Sequence, residues 1–227
     1  MLALKEEIRA MFLDLGADQC GFANIERFQE TQPGFHPSDS LACCRTVIVL
    51  LKALPHGALH ANPRFLYMGV MKTLFHELEH IGALAANIME KKYKCLAVPM
   101  ICDTPYDYWD ENEMEGRGLL SMVHSAVLAG LGSRGKNMLL LNPQIGNRAV
   151  IGALLTDLDL PSDPLTEQFC LDDCRRCLDA CPAQALTGDL VIQKRCRTHT
   201  NTRNARGWEL CLCHTCRSVC PRMYGWE

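Results

Sequence analysis

Cysteine is distributed very unevenly along this chain of 227 residues, and that distribution constrains the fold more than any other feature. Fourteen cysteines are present, and nine of them lie at or beyond position 170. The first ten residues carry Lys5, Glu6 and Glu7 within an amphipathic pattern. That is not the pattern of an export signal, so we expect a cytoplasmic protein. In a reducing compartment, dense cysteine indicates metal or redox chemistry rather than disulfides.

Seven of these late cysteines form two runs with related spacing. The first run is Cys170-x3-Cys174-x2-Cys177-x3-Cys181-Pro182, and the second is Cys213-x2-Cys216-x3-Cys220-Pro221. Bacterial two-cluster ferredoxins use C-x2-C-x2-C-x3-C-P, and the fourth cysteine of each run ligates the other cluster. A structural zinc site with four cysteine ligands is the alternative, but it gives Cys181 and Cys220 no role. The spacing therefore favours two [4Fe–4S] clusters.

Crosswise ligation divides the cysteines into two sets. Cluster one is expected to take Cys170, Cys174, Cys177 and Cys220, and cluster two Cys181, Cys213 and Cys216. The fourth ligand of cluster two is either Cys196 or Cys211. Cys211 lies two residues before Cys213, where alternate residues of an extended segment share a face. Cys196 reaches the site only if the chain from 190 to 196 folds back, so the residues alone leave this choice open.

The charge of the chain gives no indication of a nucleic-acid or membrane partner. The formal net charge is -3, and the longest apolar runs, such as Val47–Leu51, are far shorter than the roughly 18 residues of a membrane helix. From position 170 onward, nine Lys and Arg residues stand against six Asp and Glu, a local net charge of +3. Cations raise the reduction potential of negatively charged clusters or bind an acidic redox protein, so we expect a redox protein as partner.

The apolar pattern predicts alternating helices and strands. Helices are predicted at 2–15, 65–92 and 119–129, and strands at 47–51, 96–101, 138–141 and 149–155. Such alternation is typical of an α/β layer. Pro161 and Pro164 then interrupt the chain, so we expect an α/β domain over residues 1–163 and a cysteine-rich domain over residues 164–227.

Two loops carry further signals. The segment Gly130-Leu-Gly132-Ser-Arg-Gly135 matches G-x-G-x-x-G, but a helix precedes it and a strand follows, the reverse of a dinucleotide-binding loop. Close approach to a cofactor and a plain turn are equally supported there. The acidic loop 103–115 contains Tyr106, Tyr108 and Trp109. A solvated surface loop is favoured over a lid that closes on a flat ligand.

The cysteine runs and the segment before them resemble one family. The stretches that carry the resemblance are His124–Gly132, Gly135-Lys136-Asn137, 152–161, the first run with Cys181-Pro-Ala-Gln-Ala-Leu186, and Lys194-Arg-Cys196. They resemble epoxyqueuosine reductases and the wider reductive-dehalogenase-like group of iron–sulfur proteins, of which this chain looks like a shortened, divergent member.

The resemblance implies both a fold and a cofactor. It implies an α/β domain of the nitroreductase type, with a mixed sheet and helices, followed by a small α+β ferredoxin-like domain with two [4Fe–4S] clusters. A corrinoid of the cobalamin type would lie between the two domains and accept electrons from the clusters. The resemblance also favours Cys196 as the eighth ligand. It implies that the corrinoid contacts His124, Gly132, Gly135, Lys136 and Asn137.

Two departures from the family pattern keep a second function open. Ser133 stands where family members often have an aromatic residue, and Gly116, beside Glu115, occupies the place of their proton-donating aspartate. One hypothesis is an oxidoreductase in which the clusters relay electrons to a corrinoid. The other is a non-enzymatic ferredoxin-type carrier whose α/β domain has lost the cofactor and serves as a docking scaffold. A flavin is a third, weaker option, and a homodimer is a reasonable expectation for such a domain.

Overall fold

A computed structural model describes residues 1–31, 34–62, 64–103 and 108–225 of the chain. The helices are α1 Leu2–Asp14, α2 Pro37–Ser40, α3 Phe65–Tyr93, α4 Met122–Leu128, α5 Arg176–Asp179, α6 Gln193–Thr200 and α7 Thr215–Ser218. The strands are β1 Gln19–Asn24, β2 Thr46–Ala53, β3 Ala97–Pro99, β4 Tyr108–Asp110, β5 Glu115–Arg117, β6 Ser133–Arg134, β7 Leu140–Leu141, β8 Ala149–Thr156, β9 Asn201–Arg203 and β10 Glu209–Cys211. Short 3-10 helices span Ile25–Phe28 and His56–Leu59.

The central sheet has the strand order β1-β2-β8-β3, and its three pairings are all antiparallel. Strands β2 and β3 run in the same direction and are joined through α3, as in a βαβ unit. Strand β8 comes later in the chain and lies between them, antiparallel to both. The expectation of a mixed sheet is therefore wrong for the described strands. Strands β2 and β3 run in the same direction, but β8 lies between them, so they do not pair with each other.

Both faces of the sheet are covered. Alternate residues of a strand point to opposite faces, and in β2 Ile48 and Leu50 join the core formed with α1 and α3. Val47, Val49 and Leu51 join a second core formed with α4. Every residue of β8 is buried. The continuous apolar character of β2 and β8 in the sequence thus reflects burial on two sides rather than one.

The predicted elements agree with the structure where the apolar pattern is long. Helices α1 and α3 and strands β2, β3 and β8 fall within the predicted ranges or within two residues of them. Strand β1 was missed, and the strand predicted at 138–141 is only the two-residue β7. Within the described ranges, no helix combines the length and the apolar composition needed to cross a bilayer.

Candidate metal centres

Three cysteines of the first run and the last cysteine of the second run line one cavity. This cavity is narrow and partly enclosed. Its lining contains Cys170, Cys174, Cys177 and Cys220, together with Lys136, Asn137, Leu141, Leu171, Pro221 and Arg222. We call these four cysteines set one. Cys177 lies on α5, and Cys220 follows α7, so contact between these two short helices brings the two runs together.

Burial and hydrogen bonds act on the sulfurs of Cys177 and Cys220 in set one. Burial raises the pKa of Cys177, and the neighbouring thiols of Cys220, Cys170 and Cys174 raise it further. Burial also raises the pKa of Cys220, but hydrogen bonds from the backbone of Arg222 and the side chain of Asn147 lower it. Donors directed at a sulfur stabilise its thiolate form, which is the form that binds metal.

The remaining cysteines of the two runs meet Cys196 in a second group. Burial raises the pKa of Cys216 to about 11; Arg217 opposes this shift, and the thiols of Cys213, Cys196 and Cys181 add to it. The backbone N–H of Ala185 donates to the sulfur of Cys181 at 3.3 Å. We call Cys181, Cys196, Cys213 and Cys216 set two.

Cys196 reaches set two because the chain before it folds back. An antiparallel bridge joins Leu186 and Val191, and the N–H of Ile192 donates to the carbonyl of Ala185 at 2.8 Å. Helix α6 begins directly afterwards and carries Cys196. Cys211 also lies near this group and interacts electrostatically with Cys196 and Cys213, but it is exposed on β10.

The donor set fits iron–sulfur chemistry. Each set supplies four thiols, and cysteine thiolates are the ligands of [4Fe–4S] clusters. Over the ranges that the structure covers, no three His, Cys, Asp or Glu side chains are grouped as a site for a single metal ion. Each set has the donor type and the number of donors that a [4Fe–4S] cluster takes.

The glycine-rich loop between α4 and β7 contacts the chain itself. Gly130 has a φ of +72°, and a Cβ there would lie 2.1 Å from the carbonyl oxygen of Pro164. Its own carbonyl accepts a hydrogen bond from the Thr166 hydroxyl at 2.6 Å. A Cβ on Gly132 would meet the Leu141 carbonyl, and one on Gly135 would meet the Asn137 side chain. These glycines allow close packing of the linker and β7 against the loop.

Three polar side chains of this loop bind the cysteine-rich region. The hydroxyl of Ser133 accepts from the N–H of Phe169 at 2.8 Å. The ammonium of Lys136 donates to backbone carbonyls of the segment 171–174. The amide of Asn137 donates to the carbonyl of Cys216 at 3.2 Å. His124 lies apart from these contacts, with its ring edge-on to Phe28 at 6.4 Å.

Two residues that the sequence did not single out join α7 to the segment before β8. Asn147 donates from its side-chain amide to the carbonyl of Arg217 at 2.9 Å, and the guanidinium of Arg217 donates to the carbonyl of Asn147. Both side chains are buried. Their role depends on a contact across 70 positions, and the sequence signals it only by a polar residue two positions before β8.

A second cavity, of about 190 Å³, lies between the segment after β3 and the start of α4. Its lining is Met100, Ile101, Cys102, Asp103, Gly118, Leu119, Leu120 and Met122. Burial raises the pKa of Asp103, and the charges of Arg197 and Lys72 oppose this. Asp103 also interacts electrostatically with Cys211. This cavity therefore borders the surroundings of set two.

The described part of the acidic loop is docked against helix α6. Strands β4 and β5 form a hairpin, and the backbone N–H and C=O of Gly116 are both hydrogen-bonded by the Gln193 side chain at 3.0 Å. Lys194 pairs with Glu113 at 3.3 Å, and the guanidinium of Arg197 lies 5.0 Å from the ring of Trp109. Trp109 remains 46% exposed, so the hairpin is both docked and partly solvated. Tyr106 lies outside the described residues.

Replacing Gln193 by alanine should loosen this hairpin without unfolding the chain. Two hydrogen bonds of about 1 kcal/mol each are lost, so amide exchange at residues 115–117 should rise about tenfold or more. Hydrogen exchange measured by mass spectrometry on native and variant protein tests this. The matched control is Gln29→Ala, an exposed glutamine. Equal exchange of 115–117 in Gln193→Ala and native protein would show that the amide pair does not hold the hairpin.

The chain combines an α/β sheet with two sets of four thiols. No family model matches the chain. It is 29% identical to an epoxyqueuosine reductase of Staphylococcus aureus, with 98% of this chain and 65% of that protein covered. It is 28% identical to the epoxyqueuosine reductase of Lactococcus garvieae, with 97% and 70% covered. The chain thus spans about two thirds of the length of these curated relatives.

Solved structures share the fold. The structure of an epoxyqueuosine reductase from Bacillus subtilis matches with a TM-score of 0.71 at 21% identity. The match covers 100% of this chain and 67% of that chain. A catabolic reductive dehalogenase has a TM-score of 0.62 at 21% identity, with 95% and 31% covered. These findings confirm the resemblance to epoxyqueuosine reductases and reductive dehalogenases. They also confirm the α/β class, a fold in which helices pack on a β-sheet. Both groups of similar proteins are redox enzymes.

One comparison bears on the expected partners. A similar structure, with a TM-score of 0.67 at 19% identity, is an epoxyqueuosine reductase with an epoxyqueuosine-modified tRNA stem loop. A protein of this fold therefore binds nucleic acid. For the present chain, the absence of a nucleic-acid partner that net charge indicates stays a prediction.

Proposed function

We propose that this chain is an iron–sulfur redox protein whose two [4Fe–4S] clusters relay electrons to a corrinoid at a nitroreductase-like α/β domain. Residues 164–227 form the ferredoxin-like module in this proposal. The observation that carries it is the cavity in which Cys220 of the second run joins three cysteines of the first. Crosswise joining of two runs is the ligation pattern of two-cluster ferredoxins.

Set two supports the same crosswise ligation, because it takes the last cysteine of the first run. Cys181 ends the first run, yet its thiol lies among Cys213 and Cys216 of the second. Cys196 completes the set from α6. A chain in which each run gives its last cysteine to the other set keeps two clusters close together, as electron relay between them requires.

We place the corrinoid over the cavity between the segment after β3 and the start of α4, because its wall has apolar side chains open to a ligand. Ile101 is 46% and Leu119 is 39% exposed in its wall. A flat macrocycle would cover this surface, and Asp103 would lie beside it. When bound, a corrinoid supplies a cobalt ion that accepts single electrons. Contact of the corrinoid with His124, Gly132, Gly135, Lys136 and Asn137 stays a prediction, since Ser133, Arg134 and Lys136 line a further open cavity.

The second candidate function is a non-enzymatic electron carrier with the α/β domain as a docking scaffold. Gly116 favours it, because this position has no acidic side chain and its backbone is occupied by Gln193. The net positive charge of the cysteine-rich region then serves to bind an acidic redox protein. In both candidates the clusters and their ligands are the same.

Anaerobic reconstitution with iron and sulfide tests the part that both candidates share. We expect about eight iron and eight sulfide per chain, and an EPR signal of reduced [4Fe–4S] clusters after dithionite. Metal analysis of protein purified without reconstitution provides the comparison. Stoichiometric zinc without labile sulfide, and failure to take up iron, would contradict the proposal and support structural zinc.

A further inference from the structure

Lys136 is placed between the glycine-rich loop and the first cysteine run. Its ammonium donates to the carbonyl oxygens of Leu171 and Cys174, each at 3.2 Å, and to that of Asp172. An ammonium has three protons, and these three carbonyls accept all of them. The side chain also lines the cavity of set one beside the four thiols. One residue thus holds the loop between Cys170 and Cys174 and faces their cluster site.

Over the described ranges, this ammonium forms no ion pair with a carboxylate. Backbone carbonyls solvate the charge without cancelling it. Reducing a cluster adds a negative charge, and a nearby uncompensated cation stabilises that charge most strongly where water is partly excluded.

The backbone around Lys136 is fixed on both sides. Before it, the N–H of Gly135 donates to the carbonyl of Leu139 at 2.9 Å. After it, the buried side chain of Asn137 accepts from the N–H of Leu139 and donates to the carbonyl of Cys216. Because the second cysteine run is held by Asn137 and the first by Lys136, two consecutive residues set the position of both runs.

We propose that Lys136 is a positioning residue for set one, which orders the segment 171–174 and raises the reduction potential of cluster one selectively. The inference rests on the proposed function for the cluster, but the ordering of the segment does not. Cluster two is held by other contacts, so its potential should not depend on Lys136. The two clusters would therefore differ in potential, and the difference would fix which of them is reduced first.

The test is an EPR-monitored redox titration of Lys136→Gln. Glutamine keeps an N–H donor for the carbonyls but removes the charge. We expect full iron and sulfide, a more negative midpoint potential for cluster one, and an unchanged potential for cluster two. Lys136→Arg should restore the native value. Signals are assigned with the Cys174→Ser/Cys177→Ser variant, which lacks cluster one.

The matched control is Lys91→Gln, an exposed lysine near the end of α3. Lys91 and Met68 are both on α3, about 35 Å apart along its axis. Met68 lies at the end of that helix that contacts Cys211, so Lys91 is far from the cysteine-rich region. This control removes the same charge and should leave both potentials unchanged. Unchanged cluster-one potential in Lys136→Gln at full iron content would overturn the inference, as would an equal shift of both clusters.

A second readout needs no cluster. In the metal-free chain, amides of 171–174 should exchange faster in Lys136→Met, which has no donor for the three carbonyls, than in native protein, while the amides of 215–218 should not change. Equal exchange at 171–174 would overturn the positioning role. If native protein takes up no iron while this exchange difference is present, the proposed function fails and the structural role of Lys136 stands.

Discussion

Joint replacement of Cys174 and Cys177 by serine is expected to remove about half of the iron and sulfide of the reconstituted chain. Both residues line the cavity of set one, and two missing thiolates leave too few ligands for a cubane. Set two takes no ligand from these positions, so the signal of one reduced cluster should persist. The reciprocal variant, Cys213→Ser with Cys216→Ser, should remove the other half.

The control for both variants is Cys43→Ser, an exposed cysteine of the α/β domain. It should retain all iron and sulfide. Full iron in either double variant would show that the ligand sets are wrong. Complete loss in both would also contradict two independent sets, unless the circular dichroism of the metal-free variants shows that the chain has unfolded.

Replacing the buried Arg217 by leucine should cost about 3 kcal/mol of the free energy of unfolding. Arg217 is 6% exposed, its guanidinium donates to the carbonyl of Asn147, and it is hydrogen-bonded to the hydroxyl of Tyr67. Leucine fills part of the volume but leaves both oxygens without this donor, and each lost charged hydrogen bond is worth about 1.5–3 kcal/mol. Anaerobic urea denaturation followed by tryptophan fluorescence measures the change.

An exposed arginine serves as the comparison. Arg203 is 71% exposed in an ion pair with Glu209 on the β9–β10 hairpin. Arg203→Leu should change the free energy of unfolding by no more than about 1 kcal/mol, because surface pairs contribute little. Equal effects of the two substitutions would show that the buried arginine does not anchor α7 to the α/β domain.

The sequence predicts elements well where periodicity is long and local. Helix α3 and strands β2 and β8 follow directly from apolar spacing. The strand order does not, because β8 pairs with residues about 100 positions earlier and inserts between β2 and β3. No local pattern indicates that insertion, and it turns the predicted mixed sheet into an antiparallel one.

In the candidate site, too, local spacing predicts part of the arrangement and contacts between distant segments decide the rest. Spacing alone predicts which cysteines group together, but the choice between Cys196 and Cys211 depends on the bridge from Leu186 to Val191. Lys136 and Asn137 were linked to a cofactor by resemblance, yet their contacts are with backbone carbonyls 35 to 79 positions away. Such contacts depend on the folded arrangement of two segments, so a linear pattern does not reveal them.

The most direct measurement of the central claim is an anaerobic titration of the cluster-loaded chain with cob(II)alamin, followed by EPR. The spectrum distinguishes free, base-on cobalt from protein-bound, base-off cobalt. Relay of electrons to a corrinoid at the α/β domain predicts a bound, base-off spectrum at about one cobalt per chain. An unchanged free spectrum with both clusters intact would contradict that claim and leave the electron carrier as the function.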